Sequence, residues 1–139
     1  MSLNLVFSCH HSLNDRNNNY RSRSQQSEIS LADLAQTELI LLDEGDHSLT
    51  RTAFVKENIV PTFTYEIYDN YTILEMIRQG LGVSLLYENF LDGLSLEDLA
   101  VRQISENPFR TVVLAWKNWQ TLPLAAQQFA KNISSTIHD

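Results

Sequence analysis

The chain has 139 residues, of which 43% are apolar, and its 10 basic and 17 acidic residues give a formal net charge of −7. This length predicts one domain or part of one, and the acidic balance disfavours nucleic-acid binding, which depends on phosphate neutralisation. The single cysteine excludes an internal disulfide framework, and neither a signal peptide nor a membrane-spanning apolar run is present, so we expect a cytoplasmic protein without membrane contact.

The first third of the chain alternates between apolar and polar segments. "NLVFS" at 4–8 predicts a short strand, and residues 9–29 are almost wholly polar, which predicts a solvated loop or insertion. Ser30 and Asp33 in "SLAD" match a capping box for a short helix at 31–35. "ELILL" at 38–42 then predicts a buried strand.

A helix and a strand are predicted next. The helix covers 48–57, with Leu49, Phe54 and Val55 turned inward, and Asn58 closes it in a left-handed conformation. "PTFTYEIYD" alternates as a strand does, which places Phe63, Tyr65 and Ile67 on one face.

The stretch "YTILEMIRQGLGVSLLY" predicts a helix, a glycine joint and a strand. Asp69 or Asn70 caps the helix, which runs through Gln79 and presents Ile73, Leu74 and Ile77 on one side. Gly80 falls at its C-terminal cap, and Gly82 gives a tight entry into the strand "VSLLY". A dinucleotide-binding loop needs the opposite order, with the glycines after a strand and before a helix, so we assign both glycines a structural role.

The last third predicts a broken segment, a strand and a helix. The broken segment is anchored by leucines 91, 94, 96 and 99, and "RTVVLAW" at 110–116 predicts a strong strand. The final helix is capped by Thr121, with Pro123 near its first turn. Its apolar face is predicted to consist of Leu122, Ala126, Phe129, Ile133 and Ile137. Strands alternating with helices favour an α/β fold with helices packed on a sheet.

Catalytic and metal sites are poorly supported by the sequence. Cys9 and His11 alternate and would share a strand face, but a structural zinc site needs four ligands, and only His47 and His138 remain. A strand end that runs into a polar loop explains these residues better. No G-x-S-x-G motif is present, and nothing supplies a base, an orienting group and an oxyanion hole together. We therefore predict no catalytic residue, no bound metal and no cofactor.

Two loops remain as a candidate binding site. "LDEGDHS" and "YDNY" each follow a predicted strand and open a helix, and ligands of open α/β sheets bind at the carboxyl ends of the strands. Plain helix caps facing solvent explain the same residues equally well. The candidate residues are Asp43, Glu44, Gly45, Asp46, His47, Tyr68, Asp69 and Asn70.

Three segments in this order resemble the effector-binding domain of LysR-type transcriptional regulators. They are "ISLADLAQTELILLDEG", "YDNYTILEMIRQGLGVSLLY" and "FRTVVLAWKNWQTLPLAAQQFAKNI". "VFSCHHSL" resembles the segment that precedes them, with Ser12 where the family usually has proline. Tyr87 also stands where proline is common, and Tyr68-Asp69 replaces a common Asp-Ser pair.

The resemblance implies a type II periplasmic-binding-protein-like fold, represented here mainly by its second α/β subdomain. Apart from the polar loop or insertion at 9–29, it implies this subdomain at 30–109 and a return strand and C-terminal helix at 110–139. It also implies a small-molecule effector in a cleft between two subdomains, a homo-oligomer, and DNA contact only through a separate helix-turn-helix domain. The alternatives are a fragment of a solute-binding or transport protein, an enzyme of the same two-lobed fold, or a stand-alone interaction module.

Overall fold

The computed structural model describes residues 1–9 and 26–136, so most of the predicted polar loop, with His11 and Ile137, lies outside the described ranges. Within these ranges the chain forms two 3₁₀ turns, Gly45–His47 and Trp119–Thr121, in addition to its helices and strands. These are β1 (Leu3–Ser8), β2 (Glu28–Ile29), α1 (Leu31–Leu34), β3 (Leu39–Leu42), α2 (Leu49–Lys56), β4 (Phe63–Ile67), α3 (Asn70–Arg78), β5 (Val83–Tyr87), α4 (Glu88–Leu91), β6 (Leu99–Ile104) and α5 (Leu124–Thr136).

The strands form one six-stranded mixed sheet in the order β2-β6-β1-β5-β3-β4. β1 runs antiparallel to β5 and β6, whereas β3 is parallel to β4 and β5, and β2 is parallel to β6. The carboxyl ends of β3, β4 and β5 therefore lie at one edge of the sheet. The predicted α/β class with a mixed sheet is confirmed. No helix in the described ranges is long and apolar enough to cross a membrane.

The core lies around the central strands of the sheet. β3 and β5 are buried along their whole length, as expected for strands covered on both faces. α3 turns Ile73, Leu74 and Ile77 into the core, which confirms the predicted helical spacing. Within β5, Ser84 is fully buried and its hydroxyl donates to the Ile40 carbonyl at 2.7 Å, so its polar group is satisfied.

Local capping signals are confirmed at α1, at α3 and after α2. Ser30 and Asp33 form both hydrogen bonds of a capping box. Asp69 caps α3, and Asn58 follows α2 with a φ of 57°. These predictions succeed because a cap depends on residues a few positions apart in the chain.

The predicted inward face of α2 is correct for Phe54 and wrong for Val55. The Phe54 ring packs edge-to-face on Phe63 at 6.3 Å. Val55 is 74% exposed, because the next residue of a helix points about 100° away from its predecessor. On β4, Phe63 and Ile67 are half-buried while Tyr65 is exposed, since β4 is the last strand of the sheet and has one neighbour.

The sequence interpretation missed α4 and β6, which lie in the segment predicted to be broken. β6 pairs with β1 over its length, from Asn4–Gln103 to Ser8–Leu99. Leu91 and Leu99 are buried, and Leu94 and Leu96 pack against the core, so the predicted anchors are confirmed. The strand itself was missed because "LAVRQI" has no clean alternation, and its burial depends on a strand almost a hundred residues earlier.

The predicted strand at 110–116 is wrong. Residues 111–116 have no regular secondary structure and pair with no strand in the described ranges. Val112 and Val113 are 68% and 76% exposed. The backbone of Arg110, at the start of the segment, forms two hydrogen bonds with Met1, one in each direction. β-branched residues favour an extended chain, but a strand also needs a hydrogen-bonding partner.

The predictions for the last helix are partly wrong. Thr121 does not cap it; this residue ends a 3₁₀ turn, and α5 begins at Leu124, directly after Pro123. Ala130 is the buried residue among helix residues 124–134, whereas Phe129 is 58% exposed. The predicted apolar face is therefore rotated away from Phe129.

Candidate functional site

The two candidate loops meet at the edge formed by the carboxyl ends of β3 and β4. The Asp43 N–H donates to the Ile67 carbonyl at 2.8 Å, which joins the end of β3 to the end of β4. One loop then leads into α2 and the other into α3, so both helices begin at this edge. The expected adjacency of the loops follows from the parallel pairing of β3 and β4.

The first loop is shaped by hydrogen bonds within itself. Asp43 Oδ1 accepts from the Gly45 N–H at 2.9 Å, and Gly45 has a φ of 61°, a conformation that favours glycine. Ser48 is buried, and its hydroxyl caps α2 by accepting from the Arg51 N–H at 3.3 Å. The side chains of Asp46 and His47 are exposed at the tip.

Glu44 is the centre of a cluster that it forms with Tyr87 and Arg110. Its carboxylate accepts from the Tyr87 hydroxyl at 2.9 Å, from Arg110 Nη1 at 2.9 Å and from Nη2 at 3.3 Å. It also accepts from the Leu49 N–H, at 3.3 Å, in the first turn of α2. Arg110 Nη2 donates to the His47 carbonyl at 2.6 Å, and its guanidinium lies 5.4 Å from the centre of the Tyr87 ring. We call these three residues the Glu44 cluster.

Tyr87 is held in its neutral, hydrogen-donating form. Burial, followed by the hydrogen bond to Glu44 and the negative charge of Glu44, raises the pKa of Tyr87 well above its usual value, while Arg110 acts in the opposite sense. The sequence interpretation did not include Tyr87 or Arg110 in the site. In the sequence, Tyr87 stands out only as a departure from a common proline, and Arg110 only as the start of a predicted strand.

The second loop combines a helix cap with open side chains. The Asp69 carboxylate accepts from the Thr72 N–H at 2.7 Å and from the Thr72 hydroxyl at 2.6 Å. Tyr68 is 86% exposed. Among the described residues, Asn70 Oδ1 is a buried side-chain oxygen without a hydrogen-bond partner.

The capping role of Asp69 predicts a pH dependence of stability. The Thr72 hydroxyl first, and then its backbone N–H, lower the pKa of Asp69. The stabilisation is therefore present above the unfolded-state pKa of about 3.9 and is lost as the pH falls through the lower folded-state value. Asp69→Asn keeps a capping side chain without this ionisation, so its melting temperature should fall less steeply below pH 4 than that of the wild type. Glu97→Gln, in an exposed loop, is the control, and parallel curves for Asp69→Asn and the wild type would contradict the assignment.

The hydrogen bonds divide the candidate residues into two groups. Asp43, Glu44 and Asp69 are engaged within their own loops or with neighbouring elements, and Gly45 contributes its backbone. Arg51 pairs with Glu66 at 2.8 Å. Four candidate residues remain within the described ranges: Asp46, His47 and Tyr68 have exposed side chains, and the buried Asn70 Oδ1 has no hydrogen-bond partner.

The other motifs of the sequence offer no competing chemistry in the described ranges. Gly80, with a φ of 76°, follows the end of α3, and Gly82 precedes β5, so neither lies at a helix N-terminus. Cys9 is exposed, and no group of three or more potential metal ligands occurs in the part of the chain that the structure describes. A separate cavity of about 310 Å³ has Lys56, Glu57, Asn107 and Phe109 among its lining residues.

A mixed α/β sheet with two strand-to-helix loops at one edge belongs to the class of open α/β folds, in which ligands bind outside the carboxyl ends of the strands. The sequence profile of the LysR substrate binding domain matches residues 18–136, and the chain belongs to this family. It is thus a LysR-type effector-binding domain, as the resemblance predicted.

Known proteins with a similar sequence or structure agree with this assignment. The uncharacterized HTH-type transcriptional regulator YvbU of Bacillus subtilis (strain 168) is 30% identical over 107 residues, which cover 76% of this chain and 37% of that protein. The structure of the regulatory domain of CcmR from Synechocystis PCC6803, in complex with 2-PG, is similar with a TM-score of 0.72 at 20% identity. The match covers 97% of this chain and 62% of the CcmR chain. The effector binding domain of QuiR, in complex with shikimate, has a TM-score of 0.56 at 20% identity and covers 76% of this chain and 46% of its own. The matched part of the chain thus spans 37% of the length of the curated relatives that it matches.

Proposed function

We propose that this chain senses a small-molecule effector for a LysR-type transcriptional regulator and that the loops at 43–47 and 68–70 contact the effector. The observation that carries the proposal is the direct junction of the two loops, through the hydrogen bond between Asp43 and Ile67. Around this junction lie a carboxylate, an imidazole, a phenol and a buried amide oxygen, from Asp46, His47, Tyr68 and Asn70. Such a set recognises a small polar molecule by hydrogen bonds and ring contact.

The similar proteins support an effector rather than a substrate that is turned over. The CcmR and QuiR domains are described in complex with 2-PG and shikimate, and YvbU is named as an uncharacterized HTH-type transcriptional regulator. In the described chain, the carboxylates Glu44 and Asp69 are committed to the Glu44 cluster and to a helix cap, which is a structural use. We therefore propose that the chain is not an enzyme and uses no cofactor.

The effector would act by shifting a conformational equilibrium. A ligand shifts such an equilibrium only by its difference in affinity for the two states, so a cleft that closes around the effector would report its presence. The regulator would contact DNA through a separate helix-turn-helix domain. We expect it to act in the cytoplasm as a homo-oligomer. The exposed apolar residues at 112–114 offer surface for contacts with further protein.

Tyr68→Ala tests the role of the second loop. A screen of small polar metabolites by NMR detects weak ligands, and weak binding is expected because the chain supplies one wall of the proposed cleft. We expect Tyr68→Ala to weaken a ligand so found by about tenfold, since it removes an aromatic contact. Val60→Ala is the matched control, because Val60 is 91% exposed but precedes β4, at its opposite end. If Tyr68→Ala and Val60→Ala bind the ligand with equal affinity, Tyr68 does not contact it.

A further inference from the structure

The candidate edge has three positively polarised features, and each of them holds a carboxylate of the chain itself. The N-termini of α2 and α3 would attract an anion through their free N–H groups and the helix dipole. At α2 the Leu49 N–H donates to Glu44 at 3.3 Å, and at α3 the Thr72 N–H donates to Asp69 at 2.7 Å. The third feature is the guanidinium of Arg110.

Arg110 has few donors left for a ligand. Nη1 and Nη2 bind the two oxygens of Glu44, and Nη2 also donates to the His47 carbonyl. One face of the guanidinium lies against the Tyr87 ring. The side chains of Glu44 and Arg110 are only 19% and 32% exposed, so water weakens this pair less than it would weaken a pair at the open surface. An anionic ligand would have to displace Glu44 from several donors at once.

The charges around the Glu44 cluster also disfavour an anionic ligand. Asp43 and Asp46 are exposed in the same loop and would repel an approaching anion. Arg51, in the first turn of α2, is itself paired with Glu66 at 2.8 Å. The edge therefore offers negative charge and neutral polar groups, while its nearby described arginines are committed to glutamates.

We propose that Glu44 is a specificity-determining residue that excludes anionic groups from Arg110, so that the site takes an effector whose contacting group is neutral or cationic. The inference rests on the proposed function, because it assigns the ligand class of the same two loops. It also separates this site from sites for anions, in which arginines and helix N-termini are left open to the ligand.

The planar series acetate, acetamide and acetamidinium tests this proposal with one shape and three charges. Each probe is titrated at constant ionic strength, and binding is followed by NMR at the Leu49 amide and at the Arg110 guanidinium. In the wild type, acetate should bind at least about tenfold more weakly than acetamidinium; in Glu44→Gln it should gain about tenfold, because Arg110 is then free for a charge-assisted hydrogen bond. The double variant Glu44→Gln/Arg110→Gln should lose this gain.

Two further variants keep the test decisive. Tyr87→Phe removes one donor to Glu44 but keeps the ion pair, so acetate should gain nothing. Arg110→Gln carries the test if Glu44→Gln does not fold: it releases the charge of Glu44, and acetamidinium should then bind about tenfold more tightly than in the wild type.

Different results would contradict the exclusion role of Glu44 and the effector-binding role of the two loops. The exclusion role of Glu44 is overturned if acetate binds the wild type as tightly as acetamidinium does, or if Glu44→Gln folds and gains no acetate affinity. If Glu44→Gln does not fold, the role is overturned when Arg110→Gln gains no affinity for acetamidinium. Ligands of the screen that still bind at 43–47 and 68–70 would then leave the proposed function intact. If neither the probes nor any ligand of the screen perturbs these loops, both are overturned.

Discussion

Gly82→Ala is expected to lower the free energy of unfolding by about 3 kcal/mol or more, because it combines backbone strain with a steric clash. A Cβ atom at this position would lie 2.7 Å from the Glu38 carbonyl oxygen and 3.2 Å from Ile40 Cγ1. The φ of 154° adds a conformation that residues with a side chain rarely adopt. Urea denaturation measures the loss of free energy of unfolding. The dependence of this free energy on urea concentration should be the same in wild type and variant, which shows that the unfolded state is unchanged.

Gly93→Ala separates the two causes. Gly93 also has a positive φ, of 80°, but a Cβ there would meet nothing within 4 Å. We expect this variant to lose only the strain, about 1 kcal/mol. Equal losses in Gly82→Ala and Gly93→Ala would show that the close approach of Gly82 to β3 does not matter. A larger loss in Gly82→Ala would show that the close approach of Gly82 supports the pairing of β5 with β3. This pairing places Tyr87, at the end of β5, beside Glu44.

Glu44→Ala is expected to lower the free energy of unfolding by about 2–3 kcal/mol, because it leaves the Tyr87 hydroxyl, the Arg110 guanidinium and the Leu49 N–H without their acceptor. Tyr87 is only 8% exposed, so its hydroxyl has little access to water. Arg110 is more open and recovers part of its hydration, which keeps the loss below that of a fully buried ion pair. Urea denaturation again gives the measurement.

Glu66→Ala is the matched control for the loss of an ion pair. It removes the partner of Arg51 in a pair whose side chains are 44% and 50% exposed. Such surface pairs contribute less than about 1 kcal/mol. A loss in Glu44→Ala no larger than that in Glu66→Ala would mean that the Glu44 cluster does not fix the candidate edge.

The parts of the fold that the sequence predicts correctly are those set by neighbours in the chain. The spacing of Ile73, Leu74 and Ile77 identifies α3, and Ser30 with Asp33 identifies the start of α1. The two errors with the largest extent, the missed β6 and the wrong strand at 110–116, both concern pairing. Whether an extended segment finds a partner is decided by distant residues, and the local pattern does not contain that information.

The same limit applies to the candidate site. The adjacency of the two loops could be predicted, because the carboxyl ends of parallel strands meet at one edge. The Glu44 cluster could not, because Tyr87 and Arg110 lie 43 and 66 positions from Glu44 in the chain. The sequence therefore locates the edge, whereas the structure identifies the pairing of Glu44 with Arg110 that we propose sets its charge preference.

Amide chemical-shift mapping of a ligand from the metabolite screen tests the central claim most directly. We predict that the largest shifts fall at residues 43–49 and 68–72, around the hydrogen bond that joins the ends of β3 and β4. The cavity lined by Lys56, Asn107 and Phe109 provides an internal comparison, because it is a concave site outside the two loops. Shifts centred on that cavity, with residues 43–49 and 68–72 unchanged, would contradict the assignment of the effector site.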